Sequence, residues 1–320
     1  MAGAADGRKD VDVLSEVLSG CRADSATTGR FTLHAPWSLE STGLRGAMFR
    51  IARGAPYWIH LEGMAPVQVE PGDLVLLPRG GRHTISSSPG IPPTPFAEVL
   101  AAHGMRERGE KPLVFTLGDA GVPTELFTTI VDYGPVGQNS VLRFLPGLIH
   151  LREDDVLLAS CLAPTMELFI EESLNRQPGW KLSAARMGDL LMVHVLRAYL
   201  LRHRDTEPNW LRGLSDPKIA HAIMLMHRWP ERPWTVPVLA DEVCMSRSRF
   251  SARFRELVGV SPISYLTARR MERAAERLKL GPVRLADVAE LVGYGSEKIF
   301  ARAFRRWAGV PPSEYGRRAG

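Results

Sequence analysis

The chain has 320 residues, 45% hydrophobic and 23% charged, and carries three cysteines. That is enough for two domains with buried cores, and it excludes wholesale disorder, a collagen-like repeat and a disulfide-built miniprotein. Charge is uneven: residues 215–320 hold 19 Lys and Arg against 11 Asp and Glu, a balance of +8, while residues 1–214 hold 21 against 24, a balance of −3. A basic module joined to a near-neutral one is expected where only the C-terminal part meets a polyanion, the plainer alternative being an incidentally basic surface.

The N-terminal residues Met1–Asp10 are small and polar, without the pattern of an export signal. No run reaches the ~18–20 apolar residues of a membrane span. The most apolar stretch, Met187 to Leu201, is interrupted by Asp189, His194 and Arg197. Cys21, Cys161 and Cys244 are too scattered for a disulfide framework or a zinc knuckle. A soluble, cytoplasmic protein with no membrane partner is expected.

Residues 11–85 read as short strands, with Val67, Val69 and Leu74-Val75-Leu76-Leu77 bounded by the turn signals Glu70-Pro71-Gly72-Asp73 and Pro78-Arg79-Gly80-Gly81. Repeated short strands with such corners predict a sandwich or a barrel. Residues 86–123, rich in proline and small residues around one short helix at Pro95–His103, read as a mobile excursion. Strands resume at Leu126–Val131 and around Val141–Leu145. From Leu157 the apolar period becomes helical, through Leu162, Met166, Phe169 and Ile170, then Met187, Leu190, Leu191, His194, Val195, Ala198 and Leu201. Residues 157–214 are therefore expected to be a helical connector, with a homodimer contact or packing on the chain's own barrel covering the stripe. The polar stretch His203–Pro217 is the expected domain boundary.

The last hundred residues contain an internal repeat. Phe250, Phe254, Gly259, Pro262 and Tyr265 recur fifty residues later as Phe300, Phe304, Gly309, Pro312 and Tyr315. Leu239, Ala240, Val243 and Met245 recur forty-nine later as Val288, Ala289, Val292 and Tyr294, so one extra residue sits in the second copy's turn. The reading is one helix-turn-helix twice, over 236–258 and 285–308. Ser246 and Ser296 are placed to cap the second helices, Gly259 and Gly309 to end them, and the Phe stripes to face inward. At ~100° per residue the face opposite Phe300 and Phe304 carries Lys298, Arg302, Arg305 and Arg306. In the first copy it carries Ser248, Arg249, Ala252 and Arg255, with Arg247 at the helix start. Cations on one exposed face suit phosphates and guanine edges in a major groove. Ile263–Lys279 reads as one linking helix of about 25 Å. The candidate DNA-contacting residues are Arg247, Ser248, Arg249, Ser251, Ala252, Arg255, Glu297, Lys298, Arg302, Arg305 and Arg306.

Ala240 through Phe254 resembles the first motif of AraC/XylS-type bacterial transcription regulators. Gly293-Tyr294-Gly295-Ser296 through Phe304, closing with Gly309-Val310-Pro311-Pro312-Ser313-Glu314-Tyr315, resembles that family's C-terminal signature. Ala35-Pro36-Trp37 and Glu70 through His83 resemble, less specifically, the cupin-type sensor of one subgroup. The resemblance implies an α+β multidomain chain: a cupin-like sensor barrel over 1–156, the helical connector over 157–214, and an all-α DNA-binding domain over 215–320. It also implies a cytoplasmic activator or repressor, often homodimeric, that acts on promoter DNA with RNA polymerase as a further partner. One departure is Ala252, where many relatives carry Arg.

Within the barrel, Trp37, Met48, Trp58, His60, Met64 and His83 are the candidate lining of a small-molecule effector pocket, with plain core packing as the alternative. No metal or other cofactor is expected, because Trp58 stands where an H-x-H pair would need a second histidine before His60. A facial triad of His60, Glu62 and His83 remains the sharper alternative and would make the chain a cupin enzyme fused to a DNA-binding domain. Cys21 is the candidate redox residue, while Cys161 and Cys244 are expected to be buried, reduced thiols on helices. A ligand-responsive, non-enzymatic regulator is the main reading, and an unliganded architectural DNA binder the third.

Overall fold

The computed structural model describes residues 12–18, 22–44, 46–106, 112–134, 145–154, 163–202 and 210–319. Its contacts divide the chain into two compact units, Cys21–Glu207 and Met1–Gly20 with Pro208–Gly320.

The first unit's described strands are β1 (Ser25–Leu33), β2 (Ser38–Ser41), β3 (Ala47–Gly54), β4 (Tyr57–Leu61), β5 (Val67–Val69), β6 (Leu74–Leu77), β7 (His83–Ser86), β8 (Thr94–Pro95), β9 (Leu113–Leu117), β10 (Thr124–Asp132) and β11 (Ile149–Leu151). They form a six-stranded sheet, β11-β6-β3-β10-β1-β9, and a five-stranded sheet, β5-β4-β7-β2-β8. The architecture is cupin-like, but the ladder is two facing sheets and not one closed barrel. The core between them takes Phe31, Met48, Ala52, Val75, Leu113, Phe115 and Leu126 from one sheet and Leu39, Tyr57, Ile59 and Ile85 from the other. The strand expected near Val141–Leu145 falls largely outside the described residues.

Strand alternation decides what faces this core. In the larger sheet Gly29, Thr128, Arg50 and Val75 are successive cross-strand partners and so share one face. The neighbouring row Thr28, Thr129 and Phe49 faces the opposite way. That second face is covered by two helices, α3 (Ala163–Asn175) and α4 (Trp180–Arg202), the first α-helices after the short α1 (Val13–Leu18) and α2 (Phe96–Ala102). A Cβ on Gly188 of α4 would lie 2.7 Å from the Val131 side chain, so glycine there lets the helix lie close on β10. The Ala23 amide also donates to Asp189 Oδ1 at 2.8 Å. The expected connector is therefore a layer of the sensor unit. Leu191, Val195 and Ala198 are buried in it, whereas Leu190 and Leu201 stay 47% and 58% exposed.

Residues 86–123 are not the excursion expected from their prolines. β8, α2 and β9 lie within this span, and Phe96 packs edge-on against Phe31 at 5.4 Å while Phe115 stacks on Phe31 at 4.6 Å. Proline sits here at the two-residue edge strand β8, where a missing N–H is tolerated, and the aromatics supply the burial.

The second unit is helical: α5 (Trp210–Leu214), α6 (Pro217–Arg228), α7 (Val236–Glu242), α8 (Arg247–Val258), α9 (Pro262–Lys279), α10 (Leu285–Leu291), α11 (Glu297–Ala308) and α12 (Pro312–Ala319). The N-terminal α1 packs on α6, so this segment belongs here and not with the sensor. The repeat holds at the level of ring contacts. Phe254 meets Tyr265 edge-on at 5.8 Å, and Phe304 meets Tyr315 edge-on at 5.3 Å. α9 packs against helices of both halves, giving the two a common support.

Phe115→Ala is expected to lower the stability of the sensor unit by about 3–5 kcal/mol, the usual cost of emptying a buried phenylalanine site. Urea unfolding of the full chain checks this. A change of less than ~0.5 kcal/mol would return the segment to the surface.

Candidate nucleic-acid interface and sensor cavity

Each helix-turn-helix is built by the same local devices. α7 is capped at Val243, and Cys244 takes the left-handed conformation with φ +51°. The Cys244 amide donates to Asp241 O at 3.0 Å and the Met245 amide to Ala240 O at 2.9 Å, the paired bonds of a Schellman stop. In the second copy Gly293 has φ +75°, and the Gly293 and Tyr294 amides donate to Glu290 O and Ala289 O at 2.9 and 2.8 Å. Ser246 then caps α8 by accepting from the Arg249 amide, and Ser296 caps α11 by accepting from the Ile299 amide. Gly259 and Gly309 close these helices with φ of +84° and +79°.

Cys244 is exposed in that turn, not buried on a helix as its apolar neighbours suggested, because α7 stops two residues before it. Cys21 and Cys161 lie outside the described residues.

On α8, Arg247, Ser248, Arg249, Ala252 and Arg255 are exposed and Ser251 is half-buried, opposite fully buried Phe250 and Phe254. On α11, Glu297, Lys298, Arg302, Arg305 and Arg306 are exposed, opposite fully buried Phe300 and Phe304. The eleven candidate residues thus fall on two faces, one per recognition helix. Two other arginines of this unit are occupied. Arg253 donates to Asp216 Oδ2 and Glu256 Oε1, both at 2.9 Å, and Arg270 donates to the carbonyls of Pro230 and Arg232, both at 2.7 Å. These two hold helices together, which separates scaffold arginines from outward ones. Sequence reading missed two neighbours of these faces. Ile299 is 54% exposed beside Lys298, and Lys218 of α6 donates to Cys244 O at 2.9 Å next to α8. The exposed apolar Ile299 was legible, since it falls outside the Phe stripe.

In the sensor unit a cavity of about 20 Å³ lies between the sheets. Its apolar lining includes Phe31, Leu39, Met48, Ile85 and Phe96, and its polar lining includes Arg50, His83, Ser41 and Thr128. Of the six candidates, only Met48 and His83 line it. Trp37 is buried in the core elsewhere, and Met64, in the turn after β4, is 42% exposed. Trp58 and His60 alternate with buried Tyr57 and Ile59 on β4, so both face outward. His60 pairs with Thr84, and Leu61 pairs with His83, which puts the two histidines on opposite faces of the sheet. The triad of His60, Glu62 and His83 is therefore not assembled, and among the described residues no three His, Cys, Asp or Glu side chains could converge on a metal.

Arg50 is the residue that sequence reading overlooked. It stands alone in the apolar run from Ala47 to Ala52, and two-residue spacing puts it on the face of Met48 and Ala52. Its Nε donates to Thr128 Oγ1 at 3.1 Å and its Nη2 reaches Met48 Sδ at 3.3 Å, while Nη1 is buried without a hydrogen-bond partner. Burial lowers its pKa from the usual arginine value, and the nearby Tyr57 hydroxyl acts the other way. Burial pushes that hydroxyl up to about 12, with the Arg50 charge beside it acting the other way, and its distance and angle to Arg50 fall short of a well-formed hydrogen bond. His83 Nδ1 lies 2.7 Å from Gly81 O, so the ring proton sits on Nδ1 and Nε2 is left as an acceptor. Burial, reinforced by the Arg50 charge, pushes this imidazole down to about 4.

With this geometry in view, comparison with known proteins gives a consistent picture. Residues 12–201 match the Cupin family and residues 239–318 the helix-turn-helix domain family. A putative AraC-like transcription regulator of Streptomyces lividans is 32% identical over 308 residues, covering 95% of this chain and 98% of that protein. A second, from Streptomyces antibioticus, is 30% identical over 315 residues, covering 95% and 98%. Among solved structures, the DNA-binding domain of AdpA in complex with a target DNA is similar at 29% identity. That match covers 32% of this chain and 92% of that one, with a TM-score of 0.30. Among the described residues no helix is long and apolar enough to cross a membrane.

A buried histidine held neutral makes the fold acid-sensitive. His83 titrates near 4 when folded and near 6.5 when unfolded, so the unfolded chain binds the extra proton between those values. Its contribution is intact above 6.5 and is lost as pH falls towards 4. Between pH 7 and pH 5 the expected loss is about 2 kcal/mol. Urea unfolding of the native protein and His83→Gln at both pH values checks this, with a shallower pH dependence expected for the variant.

Proposed function

This chain belongs to the AraC-like transcription regulators, a DNA-binding family, and from that premise we propose how its own residues divide the work. The chain is a DNA-binding transcription regulator with an N-terminal cupin sensor. Two helices read DNA, α8 and α11, and α11 carries the larger share of base specificity. The observation behind this is the face of α11, where Lys298, Arg302, Arg305 and Arg306 are exposed opposite fully buried Phe300 and Phe304. At the places equivalent to Lys298 and Arg302, α8 offers Ser248 and Ala252, a hydroxyl and a methyl, while Arg255 answers to Arg305. Arg302 forks onto a guanine edge, while Lys298, Arg305 and Arg306 hold phosphates. Glu297 at the start of α11 and Ser251 on α8 complete the contact set.

The cavity between the sheets is where a small-molecule effector acts, at the part lined by Met48 and His83. The protein works in the cytoplasm, without catalysis of its own, as a homodimer that engages RNA polymerase. Support for the dimer on the chain itself is the exposure of four leucines on α3 and α4, Leu168, Leu182, Leu190 and Leu201.

Arg302→Ala is expected to weaken operator binding by about 1–3 kcal/mol while leaving random-sequence DNA little changed. Arg306→Ala is expected to weaken both equally and to reduce the slope of log affinity against log salt by about 0.9. Fluorescence anisotropy across a salt series separates the two. Equal losses on operator and random DNA for Arg302→Ala would reduce it to a phosphate contact. For the dimer, sedimentation of the full chain at tens of micromolar should give twice the chain mass, and a monomer there would remove it from the proposal.

A further inference from the structure

We propose that the sensor cavity is built for an organic acid, whose single carboxylate pairs with Arg50 while its apolar body lies against Phe31, Leu39, Met48 and Phe96. This rests on reading the cavity as the effector site and adds the chemistry that the site recognises.

Arg50 is 5% exposed and stands in the middle of β3, flanked by Thr128 on β10 and Val75 on β6. Among the described residues no carboxylate pairs with it. Asp73, whose charge is felt at the adjacent Tyr57, is already committed. Its Oδ2 is 2.7 Å from His150 Nε2 and 3.2 Å from the Glu70 amide, and its Oδ1 is 2.9 Å from the Glu153 amide. A guanidinium is planar and keeps its charge in proteins, so this one is a buried cation with a free Nη1 beside a cavity. An uncompensated internal charge costs stability, and leucine or methionine would fill the place at less cost. A fork of parallel N–H groups is the geometry that a carboxylate accepts.

The surroundings narrow the choice of anion. One cation balances one negative charge, and His83 is held neutral next to it, which disfavours phosphate dianions and dicarboxylates. Gly29 follows Thr128 in the same cross-strand row, and the Phe31 ring lies over its bare backbone, 2.9 Å from where a Cβ would stand, so an aromatic wall sits beside the guanidinium. Most other lining groups are apolar, which suits a hydrocarbon or an aromatic ring. The present 20 Å³ admits about one water, so an acid enters by moving the lining. One side of that lining is Phe96 at the start of α2. The strand before it, β8, is tied to its sheet only through Leu39–Thr94 and Glu40–Pro95.

The test is calorimetric titration of the full chain with acetate, hexanoate and benzoate, each against its own primary amide. At least one acid is expected to bind tenfold or more tightly than its amide. Arg50→Met should lose that binding by at least tenfold, with an unchanged or higher unfolding midpoint without ligand. Arg50→Lys, which keeps the charge and loses the fork, should fall between the two. The proposal is overturned if no acid outbinds its amide, if Arg50→Met binds as the native protein does, or if Arg50→Met fails to fold. Operator affinity measured in parallel separates the two layers. An acid that binds at Arg50 without altering operator affinity would sink the effector reading and leave the site standing. Intact operator binding with no acid bound would sink the acid site and leave the DNA-binding reading standing.

Discussion

In the C-terminal unit, the burial of two phenylalanines one turn apart, Phe250 with Phe254 and Phe300 with Phe304, is the interaction on which the rest depends. Both pairs are fully removed from solvent, with ring centroids 5.8 and 5.7 Å apart. Emptying any one such site costs about 3–5 kcal/mol. On the other side of α11, Lys298–Arg302, Arg302–Arg305 and Arg302–Arg306 are like-charge neighbours at i, i+3 or i, i+4. Each such pair disfavours the helix by a few tenths of a kcal/mol. Burial therefore outweighs repulsion several-fold. That margin lets the sequence keep a face of like charges exposed to solvent.

The sensor unit places its charge the other way round. Its six-stranded sheet is covered on one face by α3 and α4 and on the other by the second sheet, so β3 is buried from Ala47 to Ala52 on both sides. Apolar residues would be the default throughout. A guanidinium in that strand, with Thr128 and a methionine sulfur as its hydrogen-bond acceptors, departs from the default. It makes the cavity specific where the surrounding Phe, Leu and Ile side chains make it merely hydrophobic.

Most of the C-terminal unit was legible in the sequence, because its determinants are local. Caps, left-handed glycines, N1 prolines and an i, i+4 aromatic stripe each act within a few residues, and the internal repeat supplies the reading twice. The sensor was harder because its determinants are long-range. Prolines around Pro92 and Pro93 suggested a surface loop, yet Phe96 and Phe115 reach the core through pairings with β2 and β1 that no local pattern announces. Trp58, His60 and Met64 were grouped with Met48 as large, chemically capable side chains. Strand parity separates Trp58 and His60 from the cavity, and a turn removes Met64. The same parity would have found Arg50, two residues from Met48. Attention to residue type hid what attention to spacing would have shown.

The two turns between the paired helices use the same left-handed residue but are not held in the same way. At Gly293 an added Cβ would lie 2.3 Å from the Glu231 carbonyl oxygen, so both backbone conformation and close packing exclude any side chain. At Cys244 the conformation is the same and the position is exposed, so only the conformational cost of a non-glycine residue applies there. The two copies therefore have unequal freedom to drift. In the first, glycine or asparagine can replace the cysteine and ease the backbone, whereas in the second every substitution has to displace the 231 segment. A duplicated motif has in this way become a fixed half and a variable half, and the fixed half is the one whose helix exposes Lys298, Arg302, Arg305 and Arg306.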